Sequence, residues 1–100
     1  MDMKYIFQWD DNKARSNLAK HKVSFDEGKT IFYDPFIITF RDEFHSRHEE
    51  RLISIGTSFN ERLLLVVHLE REETSEGVFI RMISCRKATQ LERNLYEEGE

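Results

Sequence analysis

Arg81, Arg86 and Lys87 form a compact cationic unit on one short stretch, Val-Phe-Ile-Arg-Met-Ile-Ser-Cys-Arg-Lys, residues 78–87. A guanidinium placed between Ile80 and Met82 cannot shed its charge, so it must meet an anion or water. Guanidinium forks match phosphate oxygens, and cations gathered on one rigid element would make a phosphate-binding site. The plainer alternative is that Arg81 pairs with a carboxylate inside the fold while Arg86 and Lys87 stand in water. Cys85 beside two cations is a candidate nucleophile, since neighbouring positive charge lowers a thiol pKa. A lone cysteine near the end of an apolar strand is more often a small apolar residue. His45, His48 and Glu49 raise a metal site, but they fall in a polar loop, and no CxxC or HExxH spacing accompanies them. No metal or cofactor is therefore expected.

These residues need elements to hold them. Val78, Ile80 and Met82 alternate with Phe79, Arg81 and Ile83, which predicts a strand with both faces at least partly covered. Regular alternation sends Arg81 and Arg86 to opposite faces. Both reach one phosphate only if Arg86 has left the strand. Upstream, residues 4–9 alternate as a first strand, and Asp10 or Asp11 caps a helix running to about Lys20, closed by Lys20-His21-Lys22. Ser24-Phe25-Asp26-Glu27 has the form of a capping box for a short helix that Pro35 ends. Phe36–Phe40, Arg51–Thr57 and Leu63–Leu69 read as strands, the last a continuous apolar run suited to the sheet centre. Ala88, Leu91 and Leu95 give the apolar stripe of a C-terminal helix. The expected fold is α+β: a twisted antiparallel sheet, a four-stranded meander plus an N-terminal strand, with helices packed on one face.

One hundred residues, 39% hydrophobic and 34% charged, suit a single domain spanning 1–100. The longest apolar run, Leu63–Val67, is far too short to cross a bilayer, and Met-Asp-Met-Lys does not open a signal peptide. With a single cysteine, the expectation is a cytoplasmic protein without a membrane partner. The formal net charge of −4 argues against a general nucleic-acid binder but leaves room for an enzyme with a local basic cleft. Glu70, Glu72, Glu73 and Glu76 crowd one turn, and Glu97, Glu98 and Glu100 crowd the tail; without them the remainder is positive.

Ile-Ser-Cys-Arg-Lys-Ala-Thr at 83–89, followed by Glu92-Arg93 and Tyr96, resembles the C-terminal signature of BrnT-type toxins. These are small ribonucleases of the RelE-like superfamily from bacterial type II toxin–antitoxin systems. Further pieces match in order: Trp9-Asp10 before the first helix, Lys20-His21 at its end, Val-Ser-Phe-Asp-Glu then Ile-Phe-Tyr-Asp-Pro, and Glu50-Arg51 opening a strand that ends in Ile-Gly. The pattern usually has Ala at Cys85, and Gly where Lys22 follows the histidine. The similarity spans residues 7–98. It implies a RelE-like fold and a metal-independent endoribonuclease that slows translation by cutting RNA. It also implies a BrnA-type antitoxin with a ribbon-helix-helix part, so that DNA is met only through that partner. The runner-up is an inactive relative that serves as an antitoxin-bound corepressor.

The polar positions matching that pattern are Lys20, His21, Glu50, Arg51, Arg81, Arg86 and Tyr96. Metal-free RNA cleavage needs a base for a ribose 2′-hydroxyl, a cation for the phosphorane and help for the leaving 5′-oxygen. The resemblance implies Glu50 or His21 as base, Arg81 and Arg86 on the phosphate, and Lys20, Arg51 or Tyr96 on the acid side. Arg81 is expected to be buried and paired, Arg86 free at the strand exit. The acidic turn and tail are expected to meet basic antitoxin segments.

Overall fold

The structure, a computed structural model, describes residues 4–45, 50–69 and 71–99. Strand β1 (Tyr5–Gln8) leads to Asp10, whose carboxylate accepts the backbone N–H of Asn12 at 2.8 Å and of Lys13 at 3.1 Å. That caps α1 (Asp11–His21) and satisfies two of its unpaired donors. The helix ends at Lys22 in the left-handed region, φ 59° and ψ 29°, with its N–H bonded to Leu18 O at 2.9 Å. A glycine is at home in this position, so Lys22 makes the same turn at a cost of about 1 kcal/mol.

Ser24 caps α2 (Phe25–Gly28) by accepting Glu27 N–H at 3.0 Å. The reciprocal half of the capping box is not made, because the Glu27 carboxylate turns instead to Arg62 and Ser58. A 3-10 turn, Lys29–Tyr33, follows and stops at Asp34, which is extended ahead of Pro35.

The rest is sheet plus one helix: β2 (Ile38–Arg41), β3 (Arg51–Thr57), β4 (Leu63–Leu69), β5 (Glu72–Thr74), β6 (Gly77–Lys87) and α3 (Gln90–Glu98). The sheet order is β1-β6-β4-β3-β2, with β5 also paired to β6. β2, β3, β4 and β6 form the antiparallel meander, and β1 joins the far side of β6 in parallel. The acidic turn thus contains a short strand, β5, folded back on β6.

β4 lies in the middle, which explains its unbroken apolar run. Leu64 and Val66 serve one core, packed under Val23, Phe25, Ile31 and Phe32. Leu63 and Leu65 serve the other, with Ile55 and Tyr96. The α+β reading holds, refined in two respects: β1 makes the sheet mixed rather than antiparallel, and α1 and α2 cover the first face while α3 crosses to the second. α2 presses close, since a Cβ on Gly28 would stand 2.6 Å from Cys85 Sγ. α3, nine residues long, covers only one end of the second face. Toward the other end Ile53, Val67, Leu69 and Phe79 are half-buried and Phe40 is 40% exposed. No helix among the described residues is long and apolar enough to cross a membrane.

Candidate active site on the open sheet face

The geometry of the site turns on one irregularity in β6. Met82 is paired with His68 and Ser84 with Val67, so Ile83 is an extra residue on the β6 side. Met82 and Cys85, three apart, accordingly both lie in the first core. The bulge shifts the phase of alternation and puts Arg81, Ser84 and Arg86 on the same, second face. This corrects the expectation of opposite faces. Arg86 also need not leave the strand, because pairing with β4 continues through Leu65↔Arg86 and Leu64↔Lys87.

What holds the bulged segment is a side chain. β1 ends opposite Arg81, so beyond that point β6 has no neighbouring strand on that edge. Asn17 of α1 takes the place of one: its Nδ2 donates to Cys85 O at 2.8 Å and to Val23 O at 3.0 Å, and its Oδ1 accepts Cys85 N–H at 3.0 Å. One buried amide thereby pairs both backbone groups of Cys85 and fixes α1 against the edge.

The two arginines have exchanged their expected parts. Arg81 is exposed and makes no hydrogen bond or ion pair among the described residues. Arg86 is the paired one: Nη1 and Nη2 donate to Glu92 Oε1 and Oε2, each at 2.8 Å. That bidentate contact raises the Arg86 pKa and lowers that of Glu92. Glu92 also accepts the Thr89 N–H at 2.8 Å in the capping box of α3. The physical reason is the bulge. Without the phase shift, Arg86 would point to the first face, away from α3 and Glu92.

Arg51 joins Arg81 on the open face. It alternates with Ile53 and Ile55, which pack against the second core. It is paired with Leu69, one residue beyond His68, while Arg81 lies one residue beyond Met82, the partner of His68. The two arginines therefore stand in one transverse row with Leu69 between them, about 10 Å apart at two strand spacings.

Lys20 and His21 reach this region from the edge. They line a groove of about 340 Å³ between α1 and β6, with Lys13 and Ser16 on the helix side and Ile83 and Ser84 on the strand side. Ser84 belongs to both surfaces, so groove and open face are continuous. Sequence reasoning missed Lys13, Ser16 and Ser84. The signal was available for the helix: Lys13, Ser16 and Lys20 follow three- and four-residue spacing with Asn17, and so share a face.

Glu50 and Tyr96 lie apart from this cluster. Glu50 pairs with Arg41 at 3.3 Å on the β2 side of the sheet. Tyr96 is buried in the second core, and its hydroxyl donates to Asp34 Oδ2 at 2.6 Å, which ties α3 to the segment before β2. Asp34 also accepts Thr57 N–H at 2.8 Å; these bonds outweigh desolvation and hold its pKa below the usual carboxylate range. Burial raises the Cys85 thiol to about 12, so it is not a nucleophile. His45 pairs with Asp42 at 3.0 Å, while His48 and Glu49 fall outside the described residues. Among the described residues no group of three or more His, Cys, Asp or Glu is placed to hold a metal.

His68, passed over in the sequence, is fully buried. Its Nδ1 lies 2.8 Å from Leu69 O, which makes Nδ1 the donor. Nε2 then accepts from Ser54 Oγ at 2.7 Å. Phe32 packs edge-on against the ring. Burial lowers its pKa to about 4, so the imidazole is a neutral part of the core.

Residues 9–92 match the family described as ribonuclease toxin, BrnT, of type II toxin–antitoxin system. The 1.1 Å crystal structure of the Brucella abortus ribonuclease toxin, BrnT, is similar in fold. Its TM-score is 0.59 at 23% identity, with 86% of this chain and 97% of that one covered. No curated protein matches.

Proposed function

The chain belongs to the BrnT family of ribonuclease toxins of type II toxin–antitoxin systems, and from that premise we propose that it cuts RNA on the open sheet face without a metal ion. Membership brings an RNA substrate and an antitoxin partner. The finer reading is that cleavage slows translation in the cytoplasm, and that a BrnA-type antitoxin with a ribbon-helix-helix part neutralises the enzyme and carries it to DNA.

The observation that carries the reading is the exposed Arg81, which makes no hydrogen bond or ion pair among the described residues and shares the open face with Arg51, on the strand whose edge forms a groove with Lys20 and His21. The chemistry suited to these groups is transphosphorylation. A ribose 2′-oxygen attacks the adjacent phosphorus, and its proton passes to a base. The bond from phosphorus to the 5′-oxygen breaks, and that oxygen takes a proton from an acid. A 2′,3′-cyclic phosphate and a 5′-hydroxyl result. Imidazole is the side chain that titrates nearest neutrality, which favours His21 as base over Glu50, already engaged by Arg41. In this reading Arg81 and Arg51 bind the equatorial phosphorane oxygens and Lys20 serves the leaving oxygen. Arg86 and Tyr96 support the site by anchoring α3.

Two experiments test this. Cleavage of a single-stranded RNA in EDTA is expected to match the rate with added Mg²⁺; loss of activity restored by Mg²⁺ or Zn²⁺ contradicts metal independence. Expression of the chain alone is expected to arrest growth and translation, with relief on co-expression of its antitoxin. Normal growth at high expression favours the corepressor reading.

A further inference from the structure

The groove between α1 and the edge of β6 extends well beyond Lys20 and His21. It begins at the N-terminal turn of α1 and runs along the helix to its last residue. Lys13 and Lys20 are seven residues apart, two helical turns, and stand about 10 Å apart along the axis on the side facing β6. Between them lie the hydroxyls of Ser16 and, across the groove, Ser84. Among the described residues no carboxylate lines it. Asp10, just ahead of α1, is committed to the N–H groups of Asn12 and Lys13.

The strand side is equally specific. β6 would be covered here by another strand if β1 were longer. Instead Asn17 closes the edge at Cys85, and the bulge at Ile83 turns Ser84 toward the opening. The result is a track with cations at both ends, hydroxyl donors in the middle and an apolar strip from Ile83.

We propose that this groove seats the RNA backbone flanking the cleaved phosphate, with Lys13 on a phosphate that is not cut and Ser16 and Ser84 donating to phosphate or ribose oxygens. The proposal rests on the ribonuclease reading and adds a substrate-binding residue, Lys13, outside the candidate catalytic set. A lysine is suited to this part: it is a compact point charge that attracts a phosphate without fixing its orientation. Phosphate contacts of this kind position the chain and carry no sequence information. The Lys13 end of the groove therefore sets where the RNA lies, while the catalytic groups perform the cut.

The test compares wild type with Lys13→Ala, Lys13→Glu and Ser84→Ala as full-length proteins, each first checked for an unchanged melting temperature. Binding is measured with a single-stranded RNA 12-mer carrying 2′-O-methyl groups, which cannot be cut, across a salt series. Lys13→Ala should weaken binding several-fold, Lys13→Glu more, and the slope of log K against log salt should fall by about 0.7 for the lost phosphate contact. With cleavable RNA, KM should rise while kcat stays within about twofold, because Lys13 acts equally on ground and transition states. Wild type that cleaves RNA, with Lys13→Glu binding it at the same Kd and salt slope, overturns the groove alone. Weakened antitoxin binding by Lys13→Glu with RNA binding intact also overturns it and makes the groove a protein contact. Wild type that neither binds nor cleaves RNA removes the reading on which the proposal stands.

Discussion

Truncating Arg86 would remove two charge-assisted hydrogen bonds and leave Glu92 with only the Thr89 N–H. The guanidinium side chain is 37% exposed and the Glu92 carboxylate 18%, so water screens the loss. Arg86→Ala should lower unfolding stability by about 1 kcal/mol, read from the shift of a urea midpoint, and α3 should fray first. An unchanged midpoint would remove the pair from the account of α3. At Lys22 the direction is opposite. Lys22→Gly relieves the left-handed backbone and should stabilise the chain by about 0.5–1 kcal/mol in the same measurement. Residue types and spacing made the cations visible at this scale but did not say which arginine was paired. That depended on the bulge at Ile83, which is visible only in the pairing of β6 with β4.

At the scale of elements, α1 and β6 are joined by one amide. Asn17→Ala would leave Cys85 N–H, Cys85 O and Val23 O without their partner inside the fold, at a cost of about 2–4 kcal/mol. Backbone exchange at Cys85 should rise more than at Val66 on the neighbouring strand, and equal rises at both would contradict the edge role. The strands and helices themselves were legible: Arg51–Thr57 and Leu63–Leu69 come out with the bounds that alternation and apolar runs predict. Three features were not. The half-made capping box at Ser24 depends on Arg62, thirty-five residues from Glu27. The parallel placement of β1 depends on which edge of β6 is open. The crossing of α3 to the second face depends on the bulge phase and on Asp34 holding Tyr96. Each is a long-range choice that local periodicity does not encode.

For the whole molecule, the half-buried Glu27 and the buried His68 make stability fall with acid. The Glu27 carboxylate, held by Arg62 and Ser58 against the cost of burial, has its pKa lowered from 4.5 to about 2. Its contribution is complete above about 4.5 and is lost as pH falls toward 2. Burial lowers His68 from 6.5 to about 4, so the unfolded chain binds its proton first. That contribution is complete above about 6.5 and is lost as pH falls toward 4. Urea denaturation from pH 8 to pH 3 should therefore show a decline that starts below about 6.5 and steepens below about 4.5. Stability that stays flat down to pH 5 would contradict the role given to His68. The chain carries a formal net charge of −4, yet Lys13 and Lys20 line the α1 groove and Arg51 and Arg81 share the open sheet face, while Glu72, Glu73 and Glu76 sit on and beside the β5 hairpin.

The central claim is that Arg81, exposed on the open face, stabilises the phosphorane during RNA cleavage. Single-turnover cleavage of one single-stranded RNA by wild type and Arg81→Ala, alongside melting temperatures for both, tests it most directly. An exposed arginine with no ion pair among the described residues should, when truncated, leave stability within about 0.5 kcal/mol of wild type. The cleavage rate should nevertheless fall about 100-fold or more, the scale for losing one charge-stabilising donor. An Arg81→Ala protein that melts like wild type and cleaves at the wild-type rate would contradict the claim.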